Sequence, residues 1–435
     1  MRRIFAEDPN WSLELVPRLS IRCLETIINT FGETQIFEQL TPKQKDFVQE
    51  RLSPSLPLHV TADVIPDGVY WKRCCEQRWD ICDVLDYGGS WKRMFFERHL
   101  ENMIELFIPG VTELKTVLSI LPFCKSHVRR LNISQLLLPV KKPPKGKMDK
   151  QLESGLDINI EEHEASMDHF DFGPVLDQLI NLEDLRLQYR IKQCGLNFEW
   201  SMFEITDRDC RSLGMALKFS KTLKRLRLRQ SQVEAKKCCL LVRALRDHSS
   251  LRELDLAHNV IGDGGATAVS ELLTRSKLEK LNLCNNKIGD LGAKAIAQGM
   301  SNNCTLSSLN LCLNVVTDQG GQDIAKALEN NRTLRNLHLG GNEMTWLTAV
   351  ELSKVLQKNT TLKSINLTCN KLGEAGGKAL AEAMSYNSTL TECDIRQTDV
   401  DEQSAASINQ SVWANQSAEW DKQAQQGRAG NSIST

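Results

Sequence analysis

Leu251-Arg-Glu-Leu254-Asp-Leu256-Ala-His-Asn259 is a text that the chain repeats. It returns as Leu278/Leu281/Leu283/Asn286, Leu306/Leu309/Leu311/Asn314, Leu334/Leu337/Leu339/Asn342 and Leu362/Ile365/Leu367/Asn370. A degraded copy closes the series at Leu390/Cys393/Ile395. The first step is 27 residues and the later ones are 28. On an extended strand alternate side chains share a face, so the leucines three and five places along point into one core. A fixed period of this length means stacked supersecondary units, each closed by its neighbours.

The rest of each unit fits that reading. The Asn that ends each strand offers a side-chain amide to the backbone groups of the turn. Four residues on, Asp263, Asp290, Asp318 and Glu374 suit the N-cap of a helix. Gly265-Ala266, Gly292-Ala293, Gly320-Gly321 and Gly376-Gly377 then let the helix backbone approach the sheet. Val269, Ile296, Ile324, Leu352 and Leu380 align, as do Leu273, Met300, Leu328, Leu356 and Met384, and both rows read as core. Asn303, Asn331, Asn359 and Asn387 fall at the helix ends, where a left-handed C-cap is expected. That role accounts for their N-x-S/T sequons. In one unit Trp346-Leu347 replaces the Asp-x-Gly pattern, which predicts an altered helix start. This is the leucine-rich-repeat signature. Because a helix is wider than the spacing between strands, the expected fold is an α/β leucine-rich-repeat solenoid: a horseshoe with parallel strands concave and helices convex.

Working outward, residues 182–415 hold the array and a terminal cap helix, and 416–435 read as an unstructured tail. Leu182/Leu185/Leu187 opens the array, and the next strand, Leu223/Leu226/Leu228, follows 41 residues later. The surplus lies at 191–203, where Phe198, Trp200 and Phe203 either fold over the array edge or form an exposed docking loop. Residues 128–181 contain a cryptic first strand at Leu131 and Ile133 and a charged insert. Lys141, Lys142, Lys145, Lys147 and Lys150 precede Glu153, Asp157, Glu161, Glu162, Glu164 and Asp168. No hydrophobic period organises the insert, so it reads as a solvated loop, with a partner-binding arm as the alternative.

Residues 1–127 form a Trp-rich, mainly helical N-terminal domain. Leu13, Leu15, Ile21, Leu24, Ile27 and Ile28 suggest one amphipathic helix, and Thr41-Pro42 starts another that runs through Leu52. Trp71, Cys75 and Trp79 share a helix face, so a self-packed core is expected. Glu76, Asp80, Asp83, Asp86 and Glu97 interleave with the basic and aromatic residues and cancel a phosphate-seeking field, which argues against nucleic acid.

The formal net charge is −1, so no global field attracts a polyanion. There is no 18-residue apolar run and so no expected membrane insertion, and the start, MRRIFAEDPNW, lacks a secretory h-region. The 14 cysteines form no C-x-x-C pair, which suits free thiols in a reducing compartment. Gly376-Gly377-Lys378-Ala379 is no phosphate loop, and neither H-E-x-x-H nor G-x-S-x-G occurs. The expectation is a non-enzymatic chain without cofactor or metal, whose chemistry is its surface. Arg225, Arg227 and Arg229 project from one strand toward Glu253 and Asp255 on the next. Mutual neutralisation and a bipolar recognition patch are both open readings. Asn282, Asn310, His338, Asn366 and Asp394 continue as a polar ladder suited to holding a protein segment.

The 28-residue unit resembles the ribonuclease-inhibitor class of these repeats. ADVIPDGVYWKRCCEQRW (62–79), GGSWKRMFFERHLENMIE (88–105), the split first repeats and LDLAHNVIGDGGATAVSELL resemble a narrower family. That family is the leucine-rich-repeat subunits of the axonemal nexin–dynein regulatory complex, also called the T-complex-associated testis-expressed protein 1 family. The resemblance implies a structural subunit of motile cilia and sperm flagella, placed on the axonemal cytoskeleton. It implies a role in holding the inter-doublet link and regulating dynein-driven sliding. Implied partners are the other subunits of that complex and, beyond them, dynein arms and doublet microtubules. Two alternatives stand beside it. Leu/Pro-rich text before two Trp-Lys-Arg segments loosely suggests an F-box-like substrate receptor of a ubiquitin ligase. The repeat class also serves regulators of small GTPases, although the tail has only Glu419 and Asp421 against Lys422 and Arg428.

Overall fold

The computed structural model describes residues 19–33, 36–139 and 168–431. Leu13, Leu15, the charged insert from Lys141 to Glu164 and residues 432–435 lie outside the described residues.

The chain divides into two units. The first runs through His99 and includes Pro122–His127. Its helices span Leu19–Asn29, Pro42–Arg51 and Val69–Arg78, with the start of Trp91–Glu105. Thr41 precedes the second helix, and its backbone N–H donates to Gln44 Oε1 at 2.9 Å, one arm of a capping box. Trp71 is fully buried, and its ring lies 5.0–5.2 Å from those of Tyr70, Phe95 and Phe96. Its Nε1 donates to Ile65 O at 3.2 Å, and Lys92 Nζ reaches the same carbonyl at 2.9 Å. The Trp-rich text thus closes a core inside this unit, and burial lowers the Lys92 ammonium from its ordinary range.

The second unit takes Leu100–Leu121 and everything from Val128. The sequence reading assigned residues 100–121 to the N-terminal domain. They belong with the repeats because Glu101 and Glu105 terminate the sheet. Glu101 Oε1 accepts the backbone N–H of Asn132, and Glu105 Oε1 that of Ser134, both at 2.7 Å. An edge strand with its donors engaged is a poor template for foreign strands.

The sheet has nine parallel strands in chain order. They are β1 (Arg130–Ile133), β2 (Asp184–Leu187), β3 (Arg225–Leu228), β4 (Glu253–Asp255), β5 (Lys280–Asn282), β6 (Ser308–Asn310), β7 (Asn336–His338), β8 (Ser364–Asn366) and β9 (Glu392–Asp394). Leu131, Leu185, Leu226, Leu254, Leu281, Leu309, Leu337, Ile365 and Cys393 stand in register across it. All but Cys393 are buried, as are both helix rows from Val269 to Leu380 and from Leu273 to Met384. Each buried leucine contributes about 1.5–3 kcal/mol.

The turns are satisfied across repeats. Asn314 Nδ2 donates to Leu283 O and Leu311 O at 3.0 Å, and its Oδ1 accepts from Asn286 N and Ile288 N at 2.9 and 3.0 Å. Asn259, Asn342 and Asn370 repeat the pattern, and Asn286 bridges to Leu256 O. The residue before each is left-handed: His258, Asn285, Leu313, Gly341 and Cys369.

Two expectations need correction. Asn303, Asn331, Asn359 and Asn387 are not left-handed caps; Asn331 has φ −74° and Asn387 φ −87°. They are a second buried ladder. Asn331 Nδ2 donates to Met300 O at 3.0 Å, a carbonyl in the last turn of the preceding helix, while Oδ1 accepts Thr333 N and Leu334 N. Nor do the aspartates cap their own helices. Asp263 Oδ1 accepts Gly289 N and Gly292 N at 2.7 and 2.9 Å, so it caps the helix that follows, Asp290–Ser301. Asp290 does the same for Thr317 N and Gly320 N, and Asp318 for Thr345 N and Thr348 N. Burial opposes ionisation of Asp318, but donors from Thr345 and Thr348 outweigh it and hold the carboxyl below the usual range.

The small residues follow from the close approach of the preceding repeat's helix and not from closeness to the sheet. A Cβ on Gly292 would lie 2.6 Å from Asp263 Oδ1 and 3.0 Å from Ala266 Cβ. Helices that follow an aspartate start after an extended residue, Gly289, Thr317 or Thr345. The helices Gly262–Arg275 and Gly373–Tyr386 follow Ala235 and Trp346, which occupy the aspartate's place. Both begin at a left-handed glycine, φ 59° and 61°, whose N–H reaches forward to Asn286 O or Thr398 O. The altered start expected from Trp346-Leu347 therefore falls in the next repeat. Its own helix starts after Thr345 like its neighbours.

The last helix covers the end of the array, where Asn415 and Gln416 donate to carbonyls of Asn387, Leu390 and Thr391. It continues to Asn431, so residues 416–431 are helical where an unstructured tail was expected. Ala, Gln and Lys sustain helix without an apolar stripe. Lys363 Nζ to Glu419 Oε2 at 2.9 Å also ties it to the array.

Asn314→Ala leaves two buried N–H groups without an acceptor and should lower stability by about 2–5 kcal/mol. Urea unfolding followed by circular dichroism measures this, and an unchanged midpoint would contradict the ladder's role.

Candidate protein-binding face of the solenoid

The candidate residues lie on β3–β9, on the sheet face opposite the buried leucines, except Arg229, which directly follows β3. Register places Arg225 beside Glu253 and Arg227 beside Asp255. The row then runs Asp255, Asn282, Asn310, His338, Asn366, Asp394 without a break. The ladder read from the sequence is therefore one continuous line.

The charged end is a network. Arg229 pairs with Asp255 Oδ2 through Nε and Nη2, and Arg227 lies 3.9 Å from Glu253. Three further members were missed: Asp184, Arg186 and Lys280. Arg225 Nε lies 3.2 Å and Arg186 Nη2 2.8 Å from Asp184 Oδ2, while Lys280 Nζ lies 3.0 Å from Glu253. The signal was present, because Asp184, Arg186 and Lys280 occupy the same outward positions of their own strands. The patch holds five cations against three carboxylates, not three against two.

Asp184 is its buried centre, 1% exposed. Burial alone would raise its pKa, but the Arg186 hydrogen bond and the fields of Arg186, Arg227 and Arg225 hold the carboxyl below the usual range. On Arg229 the hydrogen bond to Asp255 raises an already high pKa.

The polar ladder is half engaged by its own backbone. Asn282 Oδ1 accepts Cys284 N at 3.1 Å, Asn310 Oδ1 accepts Cys312 N at 2.9 Å, and Asn366 Oδ1 accepts Thr368 N at 3.0 Å. Asp255 and Asp394 bond in the same way to Ala257 N and Arg396 N. The carbonyl oxygens thus stop the strands, and the amide N–H groups of Asn282, Asn310 and Asn366 remain as donors toward the face. Cys284 and Cys312 flank the row as free, half-buried thiols, and burial pushes Cys312 up to about 11.

The insert at 191–203 is an aromatic cluster. The Phe198 ring lies 5.1 Å from Trp200 and 5.5 Å from Phe203, while Leu196 and Trp200 stay exposed. Among the described residues no group of three or more His, Cys, Asp or Glu is placed to hold a metal. No described helix is long and apolar enough to cross a membrane.

An ordered parallel sheet, forward-capped helices and an outward polar row define the chain as a leucine-rich-repeat solenoid. The family described as Leucine Rich repeat matches residues 247–270, 276–297, 302–325 and 358–381, passing over the unit that contains Trp346. Among curated proteins the chain is similar to Dynein regulatory complex subunit 5. It is 48% identical to that of Macaca fascicularis over 273 residues, 63% of this chain and 54% of the relative. It is 48% identical to the human protein over 272 residues, 62% and 54% of the two chains. The Chlamydomonas reinhardtii protein is 28% identical over 221 residues, 51% and 49%. The chain spans about half the length of these relatives. The resemblance first carried by the N-terminal text is thereby borne out.

Asp184→Asn should lower stability near neutral pH by about 1–3 kcal/mol, because two guanidinium groups lose their anion. A depressed carboxylate pKa stabilises above the unfolded value and ceases to do so as pH falls through the folded value. The gap to wild type should therefore close below about pH 4; melts from pH 7 to 3 that stay parallel would refute the pairing. Charge reversal at Arg225, Arg227 and Arg229 should leave cooperative melting and reduce co-purification of partners. Undiminished co-purification would reduce the patch to self-neutralised surface.

Proposed function

We propose that this chain is a structural subunit of the dynein regulatory complex, working on the axoneme of motile cilia and flagella by holding other proteins and not by catalysis. The observation that carries this reading is 48% identity, over more than 270 residues, with relatives that bear that name. The geometry is in keeping with it. The sheet presents a line of amide donors and, at one end, a partly compensated arginine network. Both suit segments of other subunits better than a small molecule.

The other subunits of that complex are the first expected partners, with dynein arms and doublet microtubules beyond them. The Trp-Lys-Arg segments behind the ubiquitin-ligase alternative are engaged within the N-terminal unit. Trp71 is fully buried, and Lys92 Nζ lies 5.5 Å from the centre of its ring.

Tagged chain expressed in a motile ciliated cell should remain on axonemes after mild detergent and leave with the regulatory complex at high salt. Full release into the detergent-soluble fraction would overturn the assignment.

A further inference from the structure

The turns leading from each helix into the next strand carry a second charge pattern, on the strand-start edge of the solenoid. Here lies an open groove of about 660 Å³. Arg252, Lys277, Arg332 and Arg335 line it, with Glu279 the only carboxylate among the lining residues. Glu279 is matched to Arg252 at 3.5 Å. Among the described residues Lys277, Arg332 and Arg335 have no ion-pair partner. Arg332 is nonetheless held in place, its Nη1 donating to Glu329 O and Asn331 O at 2.8 and 3.2 Å. In a chain of net charge −1 this is a local excess of cations without internal compensation.

The remaining lining residues are the hydroxyls of Thr305, Ser307, Thr333 and Thr361, and the first three turn their protons inward. Thr305 Oγ1 donates to Leu278 O at 2.8 Å, Ser307 Oγ to Glu279 O at 3.0 Å and Thr333 Oγ1 to Asn331 Oδ1 at 3.3 Å. Asn303 Nδ2 donates to Thr305 Oγ1 at 3.3 Å, and the remaining lone pairs are left as acceptors toward the groove. A ligand must therefore bring both anions and N–H donors. Acidic peptides carry both, whereas a phosphodiester backbone has no donor. No aromatic ring lines the groove to stack a base. From the β4 repeat to Thr361 in the β8 repeat the groove crosses four strand spacings, roughly 19 Å, the reach of about six extended residues.

We propose that this groove docks an extended, carboxylate-rich peptide segment of a partner protein. Arg252, Lys277, Arg332 and Arg335 receive its carboxylates, and the Thr305, Ser307 and Thr333 oxygens receive its backbone N–H groups. The proposal rests on the groove alone and stands apart from the dynein-complex reading.

The test is fluorescence anisotropy of the full chain with a labelled oligoglutamate peptide. An oligoglutamine peptide and a single-stranded oligonucleotide of matched charge serve as controls. Oligoglutamate should bind, weaken about tenfold between low and physiological salt, and be preferred over both controls. Lys277→Glu with Arg335→Glu should reduce its affinity about tenfold or more, and Lys277→Gln with Arg335→Gln by a smaller factor. Circular-dichroism melts establish that both variants are folded. Lys294→Glu with Lys326→Glu should leave oligoglutamate affinity unchanged, because those exposed residues lie on the helices and do not line the groove. Equal or stronger binding of the oligonucleotide, no binding of oligoglutamate, or indifference to the Lys277 and Arg335 variants would each overturn the proposal.

Discussion

A solenoid buries the backbone at every turn, and neither strand nor helix can satisfy the polar groups left there. In this chain the neighbouring repeat satisfies them. Asn314 holds carbonyls of its own and the preceding strand together with N–H groups of the preceding turn. Asn331 takes a carbonyl from the preceding helix. Asp290 supplies the acceptor that the next helix lacks. Remove one unit and its neighbours lose partners for groups already out of water. The leucine core makes the repeats adhere, and these three sets of side chains fix how they stand.

Periodicity made the strands, both core rows and the outward row legible, because each depends on spacing within a unit. It could not assign partners across units. An aspartate at a helix start looks the same whether it caps its own helix or the next one, since both lie one period apart. The Asn303–Asn387 row was misread for a related reason. Helix ends admit a left-handed Asn, and only the three-dimensional stack shows the preceding helix's carbonyl within reach. Asp184, Arg186 and Lys280 stand singly or in pairs of opposite sign on their strands, so only register with the arginine-rich strand marks them as part of the patch. Glu101 and Glu105 were hidden by position: nothing in a helix that starts within the N-terminal unit marks it as the cap of a sheet.

The two polar surfaces of the solenoid differ in kind. On the sheet face the charges are largely mutual, and a guest must compete with contacts already made. Pairs of that sort discriminate among partners more than they attract them. On the strand-start edge three cations have no counter-ion among the described residues.

The two kinds of helix start give the array a grammar. After Asp263, Asp290 and Asp318 the next unit opens on an extended residue and then glycine or threonine. A unit without such an aspartate must be followed by one that opens on a left-handed glycine. Ala235 before Gly262 and Trp346 before Gly373 obey the second rule, and Asp263, Asp290 and Asp318 obey the first. Units of this chain are therefore not interchangeable beads. A shuffled or duplicated repeat keeps its leucines yet breaks the sentence wherever an aspartate meets the wrong successor, so the order of repeats is itself inherited information.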